Sequence, residues 1–316
     1  MPSLRTLIDA HRSGEHQILA VVTRPDARSG RGRSLRASPV ADVAERAGLV
    51  VIKAAGAREP AFAATLRELR PDAGAVVAYG AILPPPVLEI PANGWVNLHF
   101  SLLPAWRGAA PVAAAIRNGD RITGASTFRL EAGLDTGPVY GVVTEPIGLR
   151  DTTGELLQRL AIGGARLLRR TLDGIAAGTL QPRPQPVDGV SRTGKVTAQD
   201  ARIDWSASAA AVDRQIRAVT PDPGAWTESR WGNLGLGPAE PMDAAALAPG
   251  ELSARKREVL VGTGNGAVRL GTVTAPGKKP MPAADWARGT RPSPGERLGD
   301  VGGGAEKLPA APGSAS

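Results

Sequence analysis

Between residues 18 and 177 short apolar runs alternate with amphipathic stretches, and this alternation constrains the fold more than any other feature of the chain. Segments 18–22, 50–52 and 74–79 are apolar and rich in β-branched residues, as suits strands buried on both faces. Segments 40–47 and 61–69 between them, and 4–10 ahead of them, place apolar residues at helical spacing. Ser38 and Pro39 supply a cap and a first-turn proline for the helix at 40–47. Parallel strands need crossovers of this kind, so the expectation is an α/β domain with helices on both faces of a parallel sheet. The run Gly80-Ala-Ile-Leu-Pro-Pro-Pro86 interrupts the pattern at a strand's C-terminal end, where open α/β sheets place their ligands. Beyond it, 95–99 reads as a strand, 111–118 as a helix, 125–130 and 139–144 as a strand pair, and 152–177 as a closing helix.

A chain of 316 residues is long for one core. The proline-spaced run Gln181-Pro-Arg-Pro-Gln-Pro186 reads as a stiff linker. After it come a helix at 207–218 and short apolar runs at 226–236, 259–261 and 268–273, separated by glycine and proline, which suit a small β-barrel. Gly262-Thr-Gly264-Asn-Gly266 mimics a nucleotide-binding glycine loop, but strand-like Ala267-Val-Arg-Leu270 follows it instead of a helix, so it reads as a hairpin turn. The end of the chain reads as a disordered tail from Pro292 onward. The domain reading is 1–180 catalytic, 181–195 linker, 196–298 β-barrel and 299–316 tail.

No apolar run approaches eighteen residues and no signal segment is present, so the expectation is a soluble, cytoplasmic protein. With no cysteine, disulfides, a thiolate nucleophile and Cys-ligated zinc are excluded, and no histidines pair at metal spacing, so no metal is expected. The net charge of +8 favours an anionic partner such as nucleic acid. Its clearest cluster is Arg24, Arg28, Arg31, Arg33 and Arg36 against Asp26 alone, in a glycine-containing loop where arginine can reach phosphates and base edges. Arg255-Lys-Arg257 and Lys278-Lys279 form weaker patches.

The chemistry concentrates in Asn97-Leu-His99-Phe-Ser-Leu-Leu-Pro104, followed by Gly133-Leu-Asp135-Thr-Gly137. Strand periodicity puts Asn97 and His99 on one face, where both can address one reacting carbonyl. His11 and His16, the other two histidines, lie in a polar stretch near the N-terminus. An amide, an imidazole and a carboxylate are the parts needed to move an acyl group without metal or thiol. Passage through a tetrahedral oxyanion needs fixed donors, one of them worth roughly 3–4 kcal/mol. Asp135 is the carboxylate expected to orient the imidazole, with Gly133 and Gly137 letting its loop pack closely. Ser101 invites a nucleophile reading, but no second histidine stands in a motif that would activate it, so direct transfer is preferred.

Together with Arg107-Gly-Ala-Ala-Pro111, these motifs resemble the formyltetrahydrofolate-dependent formyltransferases, and Trp106-Arg-Gly-Ala-Ala-Pro111 narrows the resemblance to the members acting on methionyl-tRNA. Arg24-Pro-Asp26 through Gly30-Arg-Gly-Arg33 resembles that family's acceptor-stem loop. Asp200-Ala-Arg-Ile-Asp-Trp205 resembles the opening of its C-terminal domain, and Gly277-Lys-Lys-Pro-Met281 a motif within it. The resemblance runs from about Pro2 to Leu298 and implies a Rossmann-like catalytic domain followed by an OB-like barrel. It implies formyl transfer from 10-formyltetrahydrofolate to the amino group of initiator methionyl-tRNA by a monomer, with Asn97, His99 and Asp135 catalytic. It further implies folate contacts from Tyr79, Gly80, Ala81, Ile82 and Leu83 and from Ser101, Leu102, Leu103 and Pro104, with Leu103–Pro104 cis. The tRNA contacts implied are Arg24, Arg31, Arg33, Lys278 and Lys279, with Arg31 entering the acceptor stem's major groove.

The chain departs from the family in one respect: the family's first strand and its Phe-Ala-Gly-Thr-Pro-like loop do not precede the helix near Ser3. In the family this strand is central. Its loss is expected to leave backbone groups unpaired at roughly 1–3 kcal/mol each, against a stability margin of about 5–15 kcal/mol. The expectation is that the natural protein extends roughly 10–20 residues upstream. Competing readings are a formyltransferase acting on a sugar amine or nucleotide, a formylfolate hydrolase, and an inactive RNA-binding protein.

Overall fold

The computed structural model describes residues 1–29, 34–243 and 247–299. The chain divides into two compact units, Met1–Lys195 and Val196–Ser316.

The first unit begins with α1 (Pro2–Arg12), β1 (Val21–Thr23), the hairpin strands β2 (Ala27–Ser29) and β3 (Ser34–Arg36), and α2 (Pro39–Arg46). There follow β4 (Val51–Lys53), α3 (Pro60–Leu69), β5 (Gly74–Val77), a single turn α4 (Pro85–Leu88), β6 (Trp95–His99) and the two-residue β7 (Arg107–Gly108). The unit is completed by α5 (Pro111–Asn118), β8 (Ile122–Arg129), β9 (Val139–Pro146), α6 (Thr153–Ala176) and β10 (Arg192–Thr193). Strand pairing is parallel for β1–β4 and β5–β6, and antiparallel where β8 and β9 extend the sheet in the order β5-β6-β8-β9. The pair β1–β4 is a separate sheet, so β5 is bonded to β6 and to no other strand among the described residues.

The helix starts follow from local chemistry. Ser38 Oγ accepts the Ala41 N–H ahead of α2, and Thr152 with Glu155 forms a reciprocal capping box ahead of α6. Such a cap is worth about 1 kcal/mol. The strand at 18–22 is shorter than expected, starting only at Val21, and that at 74–79 stops at Val77. There Ala78 at φ 49° and Gly80 at φ 78° turn the chain out of the sheet. The turn α4 was not expected among three prolines, yet Pro85 sits in its first turn, where a missing N–H costs nothing.

Strand β6 lies between two cores. Val96 and Leu98 pack with Ala125 and Leu168 of α6, while Trp95 joins Phe62, Leu66, Leu83 and Val87 on the other side. Burial of each large side chain contributes about 1.5–3 kcal/mol. The alternation that sends Val96 and Leu98 toward α6 leaves Asn97 and His99 on the opposite face.

The second unit holds α7 (Ala209–Ala218), β11 (Ala225–Thr227), β12 (Leu234–Leu236), β13 (Ala239–Met242), β14 (Leu252–Ala254), β15 (Val259–Gly262), β16 (Ala267–Leu270), β17 (Thr272–Thr274), β18 (Met281–Pro282) and α8 (Ala283–Thr290). Its strands form two four-stranded antiparallel sheets, β11-β12-β17-β18 and β13-β16-β15-β14. The chain crosses from one sheet to the other at Gly237–Pro238 and at Gly271, corners of the kind that close a barrel-like sandwich. Ile203, Trp205, Ile216, Leu234, Val268 and Trp286 fill the interior. The glycine run at 262–266 joins antiparallel β15 and β16, as read from the sequence. A tail from Pro292 needs correction: Leu252 N–H donates to the Glu296 carbonyl, Leu298 N–H to that of Gly250, and Leu298 is buried in the core. Residues 300–316 of the expected tail lie outside the described residues. No helix among the described residues is long and apolar enough to cross a membrane.

Candidate active site

The site is built where β6 ends, and the loop after it and the β8–β9 loop meet at His99. The loop after β6 is tied internally. Ser101 Oγ donates to the Ala105 carbonyl at 2.5 Å, and Ser126 Oγ donates to the Ser101 carbonyl at 2.7 Å while accepting the Leu103 N–H at 3.1 Å. Ser101 is fully buried and its hydroxyl is spent on this turn, which argues against a nucleophile. The Leu103–Pro104 peptide is cis.

Trp106 follows with φ 56°, an uncommon conformation for a bulky residue that persists only where its surroundings over-determine it. Three bonds do so here: its N–H donates to Ser191 Oγ at 2.8 Å, its indole N–H to Asp120 Oδ2 at 2.8 Å, and its carbonyl accepts from His99 Nε2 at 2.9 Å. A carbonyl only accepts, so Nε2 carries a proton. His99 is buried, with its ring edge-on to Phe128.

Asp135 approaches from the β8–β9 loop. Its φ of 53° is one that aspartate tolerates better than most side chains. Its Oδ2 accepts the Gly108 N–H at 2.7 Å and lies 3.8 Å from His99 Nδ1, beyond hydrogen-bond range. The Trp106 carbonyl, and not Asp135, therefore sets the imidazole's orientation. Glycine is required on both sides of this contact. A Cβ on Gly137 would stand 1.8 Å from the Arg129 carbonyl oxygen, and one on Gly108, at φ 114°, 2.0 Å from that of Thr193. Asn97 is half-buried and its amide has no partner among the described residues.

Of the residues expected to hold folate, Tyr79 is half-buried beside the Phe62–Trp95 cluster, and Gly80, Ala81 and Ile82 are exposed. Burial and, secondarily, the Glu59 carboxylate push the Tyr79 phenol above its usual range, so it stays a neutral donor. Leu83 and Leu103 are buried, and Leu102 and Pro104 are half-buried. Of the expected tRNA contacts, Arg24 is exposed just after β1, and Lys278 and Lys279 are exposed between β17 and β18. Arg31 and Arg33 lie outside the described residues. His11 and His16 stand apart from the site: His11 Nδ1 accepts the Ile18 N–H, and His16 Nε2 pairs with Asp173 at 2.7 Å.

The sequence reading missed what stands behind the loops that meet at His99. The segment read as a linker is bonded to the first unit: β10 pairs in parallel with β7, Arg107 N–H donates to the Ser191 carbonyl, and Arg183 bridges Val139. Gln185 is half-buried between exposed neighbours and bonded to both Arg107 and the Asp135 loop. An amide between two prolines was the available signal, and it does not say what the amide faces.

The profile of the formyl transferase family matches residues 1–172, and that of the formyl transferase C-terminal domain matches 195–291. A methionyl-tRNA formyltransferase of Thermobifida fusca is 62% identical over 294 residues, covering 93% of this chain and 95% of that one. Among solved structures, HypX from Aquifex aeolicus in complex with tetrahydrofolic acid superposes with a TM-score of 0.58 at 23% identity, over 78% of this chain and 43% of its own length. An N-formyltransferase from Helicobacter canadensis, in complex with folinic acid and dTDP-3-aminofucose, superposes with a TM-score of 0.60 at 15% identity, over 84% of this chain and 94% of that one. At those identities the two structures share the fold.

Proposed function

The chain belongs to the formyl transferase family, among its methionyl-tRNA formyltransferases, and we propose that Asn97, His99 and Asp135 are its reaction centre. It transfers a formyl group from formyltetrahydrofolate to the amino group of initiator methionyl-tRNA, giving formylmethionyl-tRNA for translation initiation. The observation that carries the proposed centre is the convergence of a partnerless amide, a buried imidazole and a carboxylate at the end of one strand.

The donor, 10-formyltetrahydrofolate, supplies an activated formyl carbon whose bond to N10 breaks as the bond to the methionyl nitrogen forms. Asn97 donates its free N–H to the oxygen that gains charge in this exchange. His99 exchanges protons only through Nδ1, because Nε2 is held by Trp106: Nδ1 takes up the proton that Asp135 removes from the amine and returns it to the departing nitrogen. Asp135 Oδ1 has no partner among the described residues and receives the amine proton, while Oδ2 stays on Gly108. One proton leaves the amine and one reaches N10, so the exchange balances.

The donor fits the residues at hand. Tyr79 offers a neutral phenol, Gly80 to Ile82 an exposed turn, and Leu102 to Pro104 an apolar floor, and no residue of the proposed chemistry calls for a metal. Arg24, Arg31 and Arg33 are assigned to the acceptor end of the tRNA, and Lys278 and Lys279 to its phosphates, with 196–298 as the tRNA-binding domain and 1–180 as the catalytic one. The protein is taken to act as a cytoplasmic monomer.

The test is transfer of labelled formyl from 10-formyltetrahydrofolate to initiator methionyl-tRNA, with elongator methionyl-tRNA as control. Product confined to the initiator is expected, and equal use of both or of neither would overturn the assignment. Replacing Lys278 and Lys279 together by alanine is expected to raise KM for tRNA and to reduce the salt dependence of binding by about one logarithmic unit of slope per lost phosphate contact. Titration at several ionic strengths checks this, and an unchanged slope removes both lysines from the interface.

A further inference from the structure

Gln185 bonds to both loops of the proposed centre. Its Oε1 accepts from Arg107 Nε at 3.1 Å and Nη2 at 2.6 Å, and its Nε2 donates to the carbonyls of Asp135 and Gly137, each at 2.8 Å. All four hydrogen-bonding positions of the amide are thus in use, and its orientation is fixed, because the guanidinium only donates and the carbonyls only accept. Pro184 and Pro186 flank it and restrict the backbone that presents it.

We infer that Gln185 is a positioning residue for the transfer reaction, holding the Asp135 carboxylate in register with His99. The inference rests on the assignment of Asp135 to the centre. The Asp135 carbonyl it grips belongs to a residue at φ 53°, and the loop ends at Gly137, whose carbonyl it grips as well. On the other side it anchors Arg107, whose successor Gly108 donates to Asp135 Oδ2. The two loops are therefore joined twice, once directly through Gly108 and once through Gln185. Losing the second link leaves Asp135 attached but free to tilt, and a displacement of about 1 Å at a reacting group can cost a hundredfold in rate.

Two variants separate positioning from folding. Gln185→Glu keeps an acceptor for Arg107 but turns a carboxylate toward two carbonyls, so the loss falls on the Asp135 side. Gln185→Met keeps the length and loses both sides. For Gln185→Glu the carboxylate pairs with the Arg107 guanidinium and so offsets part of the loss at the two carbonyls. The expected result is a thermal midpoint between those of the unaltered chain and of Gln185→Met, unchanged KM for both substrates and a kcat lower by roughly ten- to a hundredfold. Faster backbone hydrogen exchange is expected at 134–137, with protection of β6 retained. Gln185→Met is expected to lose both thermal midpoint and kcat. Wild-type kcat in Gln185→Glu, or a raised KM for tRNA with kcat held, would overturn the inference. With the unaltered chain active and His99→Ala inactive, that result sinks the role of Gln185 alone. Failure of the unaltered chain to make product overturns the assigned reaction and this role with it.

Discussion

Replacing His99 by alanine is expected to abolish formyl transfer while leaving methionyl-tRNA binding intact. The imidazole is buried and bonded through Nε2 to Trp106, so Nδ1 is its one route to a substrate. Removing a fixed catalytic donor of this kind costs roughly 10²- to 10³-fold in rate. The truncation also strands the Trp106 carbonyl, at about 1–3 kcal/mol of stability, so a thermal melt must accompany the kinetics. Single-turnover transfer and tRNA titration on the same preparation separate the two effects. Equal loss of transfer and binding would contradict the role assigned to His99.

The second large effect is expected from Asp135→Asn. Asparagine also tolerates a φ of 53°, and its oxygen can still accept the Gly108 N–H, so the loop keeps its shape. What it lacks is the charge and a basic oxygen for the amine proton. General-base contributions of this kind run to about 10²- to 10⁴-fold, and the loss is expected in kcat with both KM values held. Full activity in Asp135→Asn would show that the carboxylate serves only to hold Gly108. A β-branched or apolar replacement is a poorer probe, because positive φ then adds strain of its own.

The two substitutions bear on different parts of what the sequence made legible. The residue types and strand periodicity of Asn97-Leu-His99 placed the amide and imidazole on one face of a buried strand, and β6 has that form because Val96 and Leu98 are claimed by α6. Helices with strong local signals were equally readable: Ser38–Pro39 opens α2, and α5 spans the expected 111–118. What could not be read depends on contacts between distant residues. His99 is oriented by the carbonyl of Trp106, and a carbonyl has no signature in a sequence. Trp106 in turn holds its backbone through Ser191, 85 residues away. The helix α8 was hidden because Ala283-Ala-Asp-Trp-Ala-Arg-Gly-Thr290 is short and sits among glycines and prolines. The burial of Leu298 was hidden for a related reason: polar Gly/Pro composition predicts disorder unless a partner strand edge, here at Gly250–Leu252, takes up the backbone.

The bonds from Gln185, Ser191 and Thr193 to the loops at Arg107 and Asp135 also set an order of events during synthesis. Domains form as the chain emerges, N-terminal parts first. When Ala176 has left the ribosome, every strand from β5 to β9 and the whole of α6 are available, and the sheet can assemble around Phe128 and Leu168. The carboxylate of Asp135 is then already outside, but the amide that braces it and the hydroxyl that holds Trp106 have yet to emerge. The proposed centre is braced only by residues 185–193, close to the end of the first unit at Lys195. The first unit can thus assemble its sheet before the proposed centre is braced, and the brace emerges just ahead of the segment assigned to hold the tRNA.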